Sequence, residues 1–460
     1  MAKEYKDLIV GLDIGTAKIM VVVGEVLAGG DLKLAGLGVA PSNGLKRGVV
    51  VNIDATVASI QQALKEAELM ADCKIGRVYT GITGSHIRGI NSTGMVAVKD
   101  KEVTHADVQR VVETAKAINI SSDQRLLLVE PQEFVIDGQD VREPVGMSGM
   151  RLEAKVHIVT GAQSAAENII KCVRRCGLDV DQLMLNPLAS AQAVLTDDER
   201  ELGVACVDVG AGTTDVAIFA GGSIRHTAVI PIAGDLITSD IAMALRTPTM
   251  DAEDIKVASG CAKQLLADAD TQVEVPGLGD RTPRMLSKQA LAGVIEPRVE
   301  EIFSLVQQVI RDSGFEEVLS SGVVLTGGSA VMPGIVELGE DIFLKPVRRG
   351  VRRHWRRHHR RGHLHRRLDP PHGGDPDRRR PDHQRHRDGA AHTDHGRRGD
   401  QGCQRLRQAV AGRCRHASRS AGPGRPHAAH AEPPGAGRRH RAARRGNLLA
   451  GAASDPRLGF

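Results

Sequence analysis

The segment 203-GVACVDVGAGTTDVAIF-219 holds two apolar runs separated by a glycine cluster. Val204 to Val207 carries Asp208 at its end, Gly210, Ala211 and Gly212 make a turn, and Thr213, Thr214 and Asp215 open a second run, Val216 to Phe219. Two β-rich runs around a short glycine turn specify strand, turn and strand. Glycines there permit positive φ and bring backbone N–H groups close to an anion. The threonine hydroxyls add donors, and a carboxylate at a strand end can hold a magnesium ion through water. Taken alone, the stretch fits a phosphate cradle and an ordinary glycine-turn hairpin equally well, because such turns are common.

The device occurs twice. Leu8 to Leu12 ends in Asp13, Gly15, Thr16 and Lys18 follow, and Ile19 to Val23 is again apolar. Aligning Asp13 with Asp208 superposes strand, Asp-x-Gly, turn and strand, which indicates a duplicated nucleotide-binding half-domain. Two facing hairpins would clamp the phosphates of one nucleotide. In a third piece, 322-GVVLTGGSAVMPGI-335, the strand Val323–Thr326 runs into Gly327-Gly328-Ser329 before a short helix. Glycines there let a base or ribose lie against the backbone; packing explains a Gly-Gly at such a junction as well.

With these pieces in order, the chain resembles the actin, Hsp70 and sugar-kinase superfamily, and within it the FtsA family of actin-like bacterial cell-division proteins. The closer resemblance rests on GLDIGTAKI (11–19), AELMADC (67–73), VDQLM (180–184), LTDDERELGV (195–204), RHTAVIPIAGDLITSDIA (225–242), DAEDIKV (251–257) and VIEPR (294–298). It covers roughly the first 345 residues. The fold it implies is α/β, with duplicated actin-like (ribonuclease H-like) nucleotide-binding domains carrying small inserted subdomains. The expected division is 1–83 with 161–200 (1A), 84–160 (1C), 201–244 with 305–345 (2A) and 245–304 (2B).

The pattern along the chain fits that plan. Strands are expected at Leu8–Leu12, Ile19–Val23, Leu34–Val39 and Val78–Thr83, with a helix over about 54–70 whose stripe is Val57, Ile60, Leu64 and Ala67 and whose N-cap is Asp54. Residues 84–160 read as an insertion: a strand at Ile87–Val98, a helix at Thr104–Ala117, and strands at Leu126–Ile136 and Leu152–Thr160. Its position is that of the family's extra subdomain and implies a contact surface for later division proteins. A helix at Ala165–Cys176 and a strand near Gln182–Leu185 lead to the bend Asn186-Pro187-Leu188-Ala189-Ser190. Hsp70-like relatives carry a glutamate in this bend and actin a glutamine, to orient the attacking water; no equivalent is visible here. Phosphoryl transfer to water depends on such positioning, so the expectation is a nucleotide switch with weak hydrolysis and no catalytic residue.

ATP and Mg2+ are the implied ligands. The phosphate contacts are Gly15, Thr16, Lys18, Gly210, Gly212, Thr213 and Thr214, and Asp13 and Asp208 hold the metal through water. Gly234-Asp235 opens a helix whose N–H groups can face the nucleotide. By resemblance Gly234, Glu253, Lys256, Gly327 and Gly328 reach the adenosine; for Glu253 and Lys256 a solvent-facing i, i+3 ion pair is an equal alternative. Residues 262–285 read as hairpins and loops, and Ser287 to about Asp312 as a long helix. On it, Arg298 and Glu301 lie in the subdomain that, in the family, accepts the partly acidic tail of the ring protein FtsZ. The family further implies actin-like self-association and a peripheral position on the cytoplasmic face of the inner membrane. A sugar or acetate kinase of the same superfamily is the enzyme alternative; it needs a catalytic Asp in a substrate cleft, and none is located.

Composition divides the chain. Residues 346–460 hold 29 Arg against 8 Asp and 1 Glu, a balance of +20, which leaves −15 for residues 1–345. The acidic part is a poor nucleic-acid binder. Seven cysteines without a CxxC pair fit a reducing cytoplasm, and neither a signal region nor a spanning apolar run is present. After Lys345 there is no Lys, Ile, Tyr or Met, Phe returns only at Phe460, and 14 of the 18 histidines fall there. Such a segment buries no core and is expected to be disordered. A basic arm is one reading. The preferred one is a change of reading frame near 346–352, since these residues are what GC-rich DNA encodes out of frame. It would remove the elements that complete the family's domains and the amphipathic helix by which its members lie on the membrane.

Overall fold

The computed structural model describes residues 8–27, 31–279 and 282–350. The Arg/His-rich stretch, with the disorder and change of frame expected of it, lies outside the described residues from position 351 onward.

The first half is built on strands β1 (Leu8–Ile14), β2 (Lys18–Val26) and β3 (Leu32–Pro41), an antiparallel meander in which alternate residues face the core. A two-residue hairpin, β4 (Leu45–Lys46) and β5 (Val49–Val50), leads to helix α1 (Ile53–Ala71). Ile60, Ala63, Leu64, Ala67 and Ala71 of α1 are buried at helical spacing. Its N-cap is Asn52, whose side chain accepts from the Ala55 amide, and not Asp54 as expected. Asp54 stands in the first turn, where it favours the helix dipole and pairs with Arg175 at 2.7 Å. Strand β6 (Arg77–Ile82) runs parallel to β1.

The chain then leaves for the insertion: β7 (Arg88–Ala97), helix α2 (His105–Lys116) opened by a Thr104–Asp107 capping box, β8 (Gln124–Ile136), β9 (Gln139–Val141) and β10 (Arg151–Ala162). These strands form a sheet of order β7-β10-β8-β9, with Val111 and Ala115 of α2 packed on Leu152, Ala154, Val156 and Ile158. Helix α3 (Gln163–Arg175) and strand β11 (Asp179–Leu185), parallel to β6, complete the first sheet.

Helices α4 (Asn186–Val194) and α5 (Asp197–Leu202) cross to the second half. There β12 (Val204–Val209), β13 (Thr214–Ala220) and β14 (Ser223–Ile230) repeat the meander. Helices α6 (Gly234–Leu245) and α7 (Thr249–Ser259), the hairpin β15 (Gln272–Val275) and β16 (Arg284–Ser287), and the long helix α8 (Lys288–Asp312) follow. Strand β17 (Val323–Thr326) is parallel to β12, and α9 (Ile335–Phe343) leads to β18 (Val347–Arg349), parallel to β17. The two large sheets read β3-β2-β1-β6-β11 and β14-β13-β12-β17-β18, so each is ordered third, second, first, fourth, fifth in its own half. The duplicated α/β plan is therefore present strand for strand.

One boundary moves. The composition break after Lys345 comes too early for the fold, because Val347 is core and Arg348 is structural. The Arg348 guanidinium donates to Glu199 at 2.6 Å and to the Val194 carbonyl at 3.1 Å, while Arg349 donates to the Met332 carbonyl. Arginines that resemble the tail in composition thus close the edge of the second sheet.

Candidate functional site

The two meanders bring their first turns face to face. In one, the Gly15 amide donates to the Lys18 carbonyl at 3.1 Å; in the other, at the equivalent position, the Gly210 amide donates to the Thr213 carbonyl at 3.0 Å. Of the two reasons expected for the glycines, positive φ is not observed: none of Gly15, Gly210 and Gly212 has one. Gly212 is required by close approach: a Cβ there would lie 2.6 Å from Thr16 Oγ1 and 2.9 Å from Arg47 Cα. Thr16 in turn accepts from the Gly48 amide at 3.2 Å. A side chain at Gly212 would therefore wedge the halves apart before meeting any phosphate.

Three carboxylates surround this meeting point. Asp13 is open to the cleft yet hemmed in by protein, and its carboxyl is pushed up to about 6 by desolvation first and by Asp208 next, against the pull of Lys18. Asp208 is also raised by burial, opposed by the hydrogen bond that the Ser190 hydroxyl donates to it. Asp215, fully enclosed, rises to about 7 through burial, against bonds from Thr83 and Thr213 and reinforced by Asp208 and Asp13. Among the described residues no group of three or more His, Cys, Asp or Glu is arranged to hold a metal ion directly. Carboxylates that destabilise one another in this way do fit a hydrated cation, whose charge would return them to the ionised form.

The remaining expected contacts divide. Lys18 is exposed at the turn, and Thr213 bonds Asp215. Thr214 points away: its hydroxyl donates to the Ile232 carbonyl at 2.7 Å. The Gly234 and Asp235 amides do not face an open cleft either, because they donate to the Gly210 and Ala211 carbonyls at 3.1 and 2.8 Å. They hold the second turn against the start of α6. Lys256 is buried, which removes the solvent-facing alternative. Its ammonium donates to the Gly234 carbonyl (3.2 Å), to Thr238 Oγ1 (2.7 Å) and to Glu253 (2.6 Å), tying α7 to the same helix start. Gly327 lies against Asp208 and Val209, and a Cβ at Gly328 would meet nothing within 4 Å, so this junction borders open space. Ser329 Oγ donates to the Gly210 carbonyl at 3.2 Å. The residues expected at the phosphates and those expected at the adenosine thus form one connected wall.

Arg298 and Glu301 stand apart from it. The Arg298 guanidinium forks onto Asp240 of α6 at 2.5 and 3.0 Å and also pairs with Glu301, so it braces α8 against α6.

Four site residues escaped the sequence reading. Asp215 was within the quoted stretch and pairs in register with Asp208, which was a usable signal. Thr83, Ser190 and Arg47 reach the site only through tertiary contact. Thr83 Oγ1 donates to Asp215 at 2.7 Å across 132 positions of chain.

Comparison with known proteins bears on what this wall is for. The family model described as cell division protein FtsA matches residues 205–364, and that of the SHS2 domain inserted in FtsA matches residues 84–160. The cell division protein FtsA of Pseudomonas aeruginosa is 59% identical over 345 residues, covering 75% of this chain and 83% of its own. That of Escherichia coli K12 is 48% identical over 353 residues, covering 75% and 84%. Among solved structures, a PilM-PilN type IV pilus biogenesis complex superposes with a TM-score of 0.53 at 17% identity, over 74% of this chain and 87% of that one, and shares the fold.

Proposed function

The chain belongs to the FtsA family of cell-division proteins, and from that premise we propose that it is an ATP-binding, actin-like adaptor that links the FtsZ ring to the cytoplasmic membrane. The observation that carries the nucleotide part is the pairing of equivalent turns: Gly212 against Thr16, with Asp13, Asp208 and Asp215 around them. Backbone amides of both turns, Thr16, Lys18 and Thr213 would meet the phosphates, with Asp13 and Asp208 holding Mg2+ through water. Bound magnesium supplies charge neutralisation at the phosphates. The adenosine would lie between the Gly327-Gly328 junction and the Gly234, Glu253, Lys256 cluster. The family assignment sets the small-molecule kinase reading aside.

The bend that opens α4, Asn186-Pro187-Leu188-Ala189-Ser190, carries no Glu or Gln to orient water, and its Ser190 is engaged with Asp208. Turnover should therefore fall far below the scale of dedicated enzymes, about 1–10³ s⁻¹. Self-association, recruitment of later division proteins through 84–160, and the subdomain division at 83, 160, 200, 244 and 304 go with the same reading. An FtsZ tail approaching Arg298 would have to compete with Asp240. No helix among the described residues is long and apolar enough to cross a membrane. The direct test is ATP binding with and without magnesium. Omitting the metal should weaken binding at least tenfold in the wild type and leave Asp208→Asn unaffected. Equal affinity in both conditions for the wild type would refute the site.

A further inference from the structure

The insertion is held by the second half at two places, one on β13, which leads out of the phosphate turn, and one on β14, which pairs with β13. At its root, Thr83, the residue before the insertion, donates to Asp215 of β13 at 2.7 Å. At its far side, the insertion's sheet docks on β14, the edge strand of the second sheet.

That docking seam is largely polar, although Val229 of β14 also packs on the apolar cluster that includes Ile87 and Val159. His157 of β10 is buried, with Nδ1 2.6 Å from Asn91 Oδ1 and Nε2 2.9 Å from Thr227 Oγ1. The amide oxygen can only accept, so Nδ1 carries a proton and donates; burial favours the neutral ring, in which Nε2 accepts the Thr227 hydroxyl. Asn91 Nδ2 donates to the Arg225 carbonyl at 3.1 Å, Gln132 Nε2 to the Ile224 carbonyl at 2.7 Å, and Ser223 Oγ to the Gln132 carbonyl at 3.1 Å. Side chains of the insertion thereby satisfy carbonyls of an edge strand that would otherwise stand unpaired. Gly89 allows this approach, since a Cβ there would be 2.6 Å from Thr227 Oγ1. Toward solvent the seam ends in the Arg225–Glu133 pair (2.5 Å) and the Arg142–Glu201 pair, beside a cavity of about 490 Å3 lined by Gln132, Glu133, Arg142, Glu201 and Arg225. A contact made of hydrogen bonds and ion pairs can be exchanged for water at small net cost, unlike an apolar core.

The register carries the seam to the phosphate turn. Thr227 pairs with Ala217, Val229 with Asp215 and Ile230 with Thr214, whose hydroxyl is fixed to the Ile232 carbonyl. The turn at Gly210–Thr213 is thus connected to β14 by register and, through Asp215, to Thr83.

We propose that the insertion is a latch whose docking on β14 is coupled to the nucleotide cleft: closure of the two turns on phosphates favours the docked arm, and an open cleft releases it and bares the β14 edge. This rests on the nucleotide reading of the cleft. Linkage is reciprocal, so the factor by which bound nucleotide favours docking is also the most by which undocking can weaken nucleotide binding.

The test uses the full chain, with hydrogen exchange of segments 88–97 and 223–230 and ATP affinity in magnesium as readouts. Arg225→Glu and Glu133→Arg alter opposite sides of the seam. Each should raise exchange in both segments about tenfold and lower ATP affinity about fivefold, within the usual range of coupling, and the double swap should restore both. Exchange in the buried strand 204–209 should stay unchanged, separating undocking from unfolding. If ATP binds and the seam variants change neither seam exchange nor affinity, the latch is wrong and the site stands. If the seam opens without any change in affinity, the coupling is wrong. If no ATP binds to the wild type at all, the nucleotide reading fails and takes the coupling with it.

Discussion

The two large sheets have the same strand order, but among the described residues they are not equally covered. In the second sheet, Val204, Phe219 and Ile224 sit side by side across three strands, and Ile224 is 3% exposed. Helix α4 and Leu195 cover them. The equivalent row in the first sheet is Ile9, Gly24 and Leu34, where Leu34 is 45% and Ile9 39% exposed. The opposite face of each sheet is filled, by α1 and α3 in the first and by α6 and α8 in the second. The edges differ too: β14 is capped by the insertion, whereas Leu32 of β3 is open to solvent. Duplication of a backbone plan therefore does not duplicate its packing. The cover of the second sheet comes from the helix that follows the first sheet's fifth strand. The corresponding position after β18 lies outside the described residues.

The contrast is broken most directly by paired truncations. Ile224→Ala should cost about 2–5 kcal/mol, as for a closely packed core residue, and Leu34→Ala less than about 1 kcal/mol. Urea denaturation of each variant gives the two values. A Leu34 cost as large as that of Ile224 would show that the first sheet's outer face is covered in solution.

Acid should attack the covered edge. Burial pushes the His157 imidazole down to about 4, with His226 adding to the effect; Glu130 faces it on β8. A base whose folded value lies below its free value of about 6.5 is protonated first in the unfolded chain. Its contribution is present above that value and is lost as pH falls from 6.5 through 4, up to about 3 kcal/mol. His157→Gln should flatten this part of the stability profile, and an unchanged profile would remove the buried neutral histidine from the account.

Much of this plan was legible in the sequence. The paired apolar runs and the repeated Asp-x-Gly located both hairpins, and a helical stripe located α1. Strand parity could also have told that Thr214 faces away from Thr213 and Asp215. What could not be read were contacts between distant positions, such as Thr83 with Asp215 or Ser190 with Asp208, because no local pattern encodes them. Nor could composition separate Arg348, whose partners are Glu199 and Val194, from the arginines that follow it.

Two smaller effects sharpen the comparison of the halves. Asp13 is the first half's counterpart of Asp208, and its raised value means that stability is lost as pH rises from about 3.8 through about 6. Asp13→Asn should therefore stabilise the ligand-free protein above pH 6 by about 1 kcal/mol, cleft water screening the remainder. Thermal melts at pH 5 and pH 8 would show the larger gain at the higher pH. Arg348→Ala should cost about 1 kcal/mol, since its pair with Glu199 is partly exposed; exchange at β18 is where it would be seen.

The central claim is that the two equivalent turns serve one nucleotide. Calorimetric titration of the full chain with ATP in magnesium tests it, comparing wild type, Asp13→Asn and Asp208→Asn. The account predicts one ATP per chain and a loss of at least tenfold in affinity from either substitution alone, because each half contributes one side of the same site. Two independent sites, or a loss confined to one of the two variants, would contradict it.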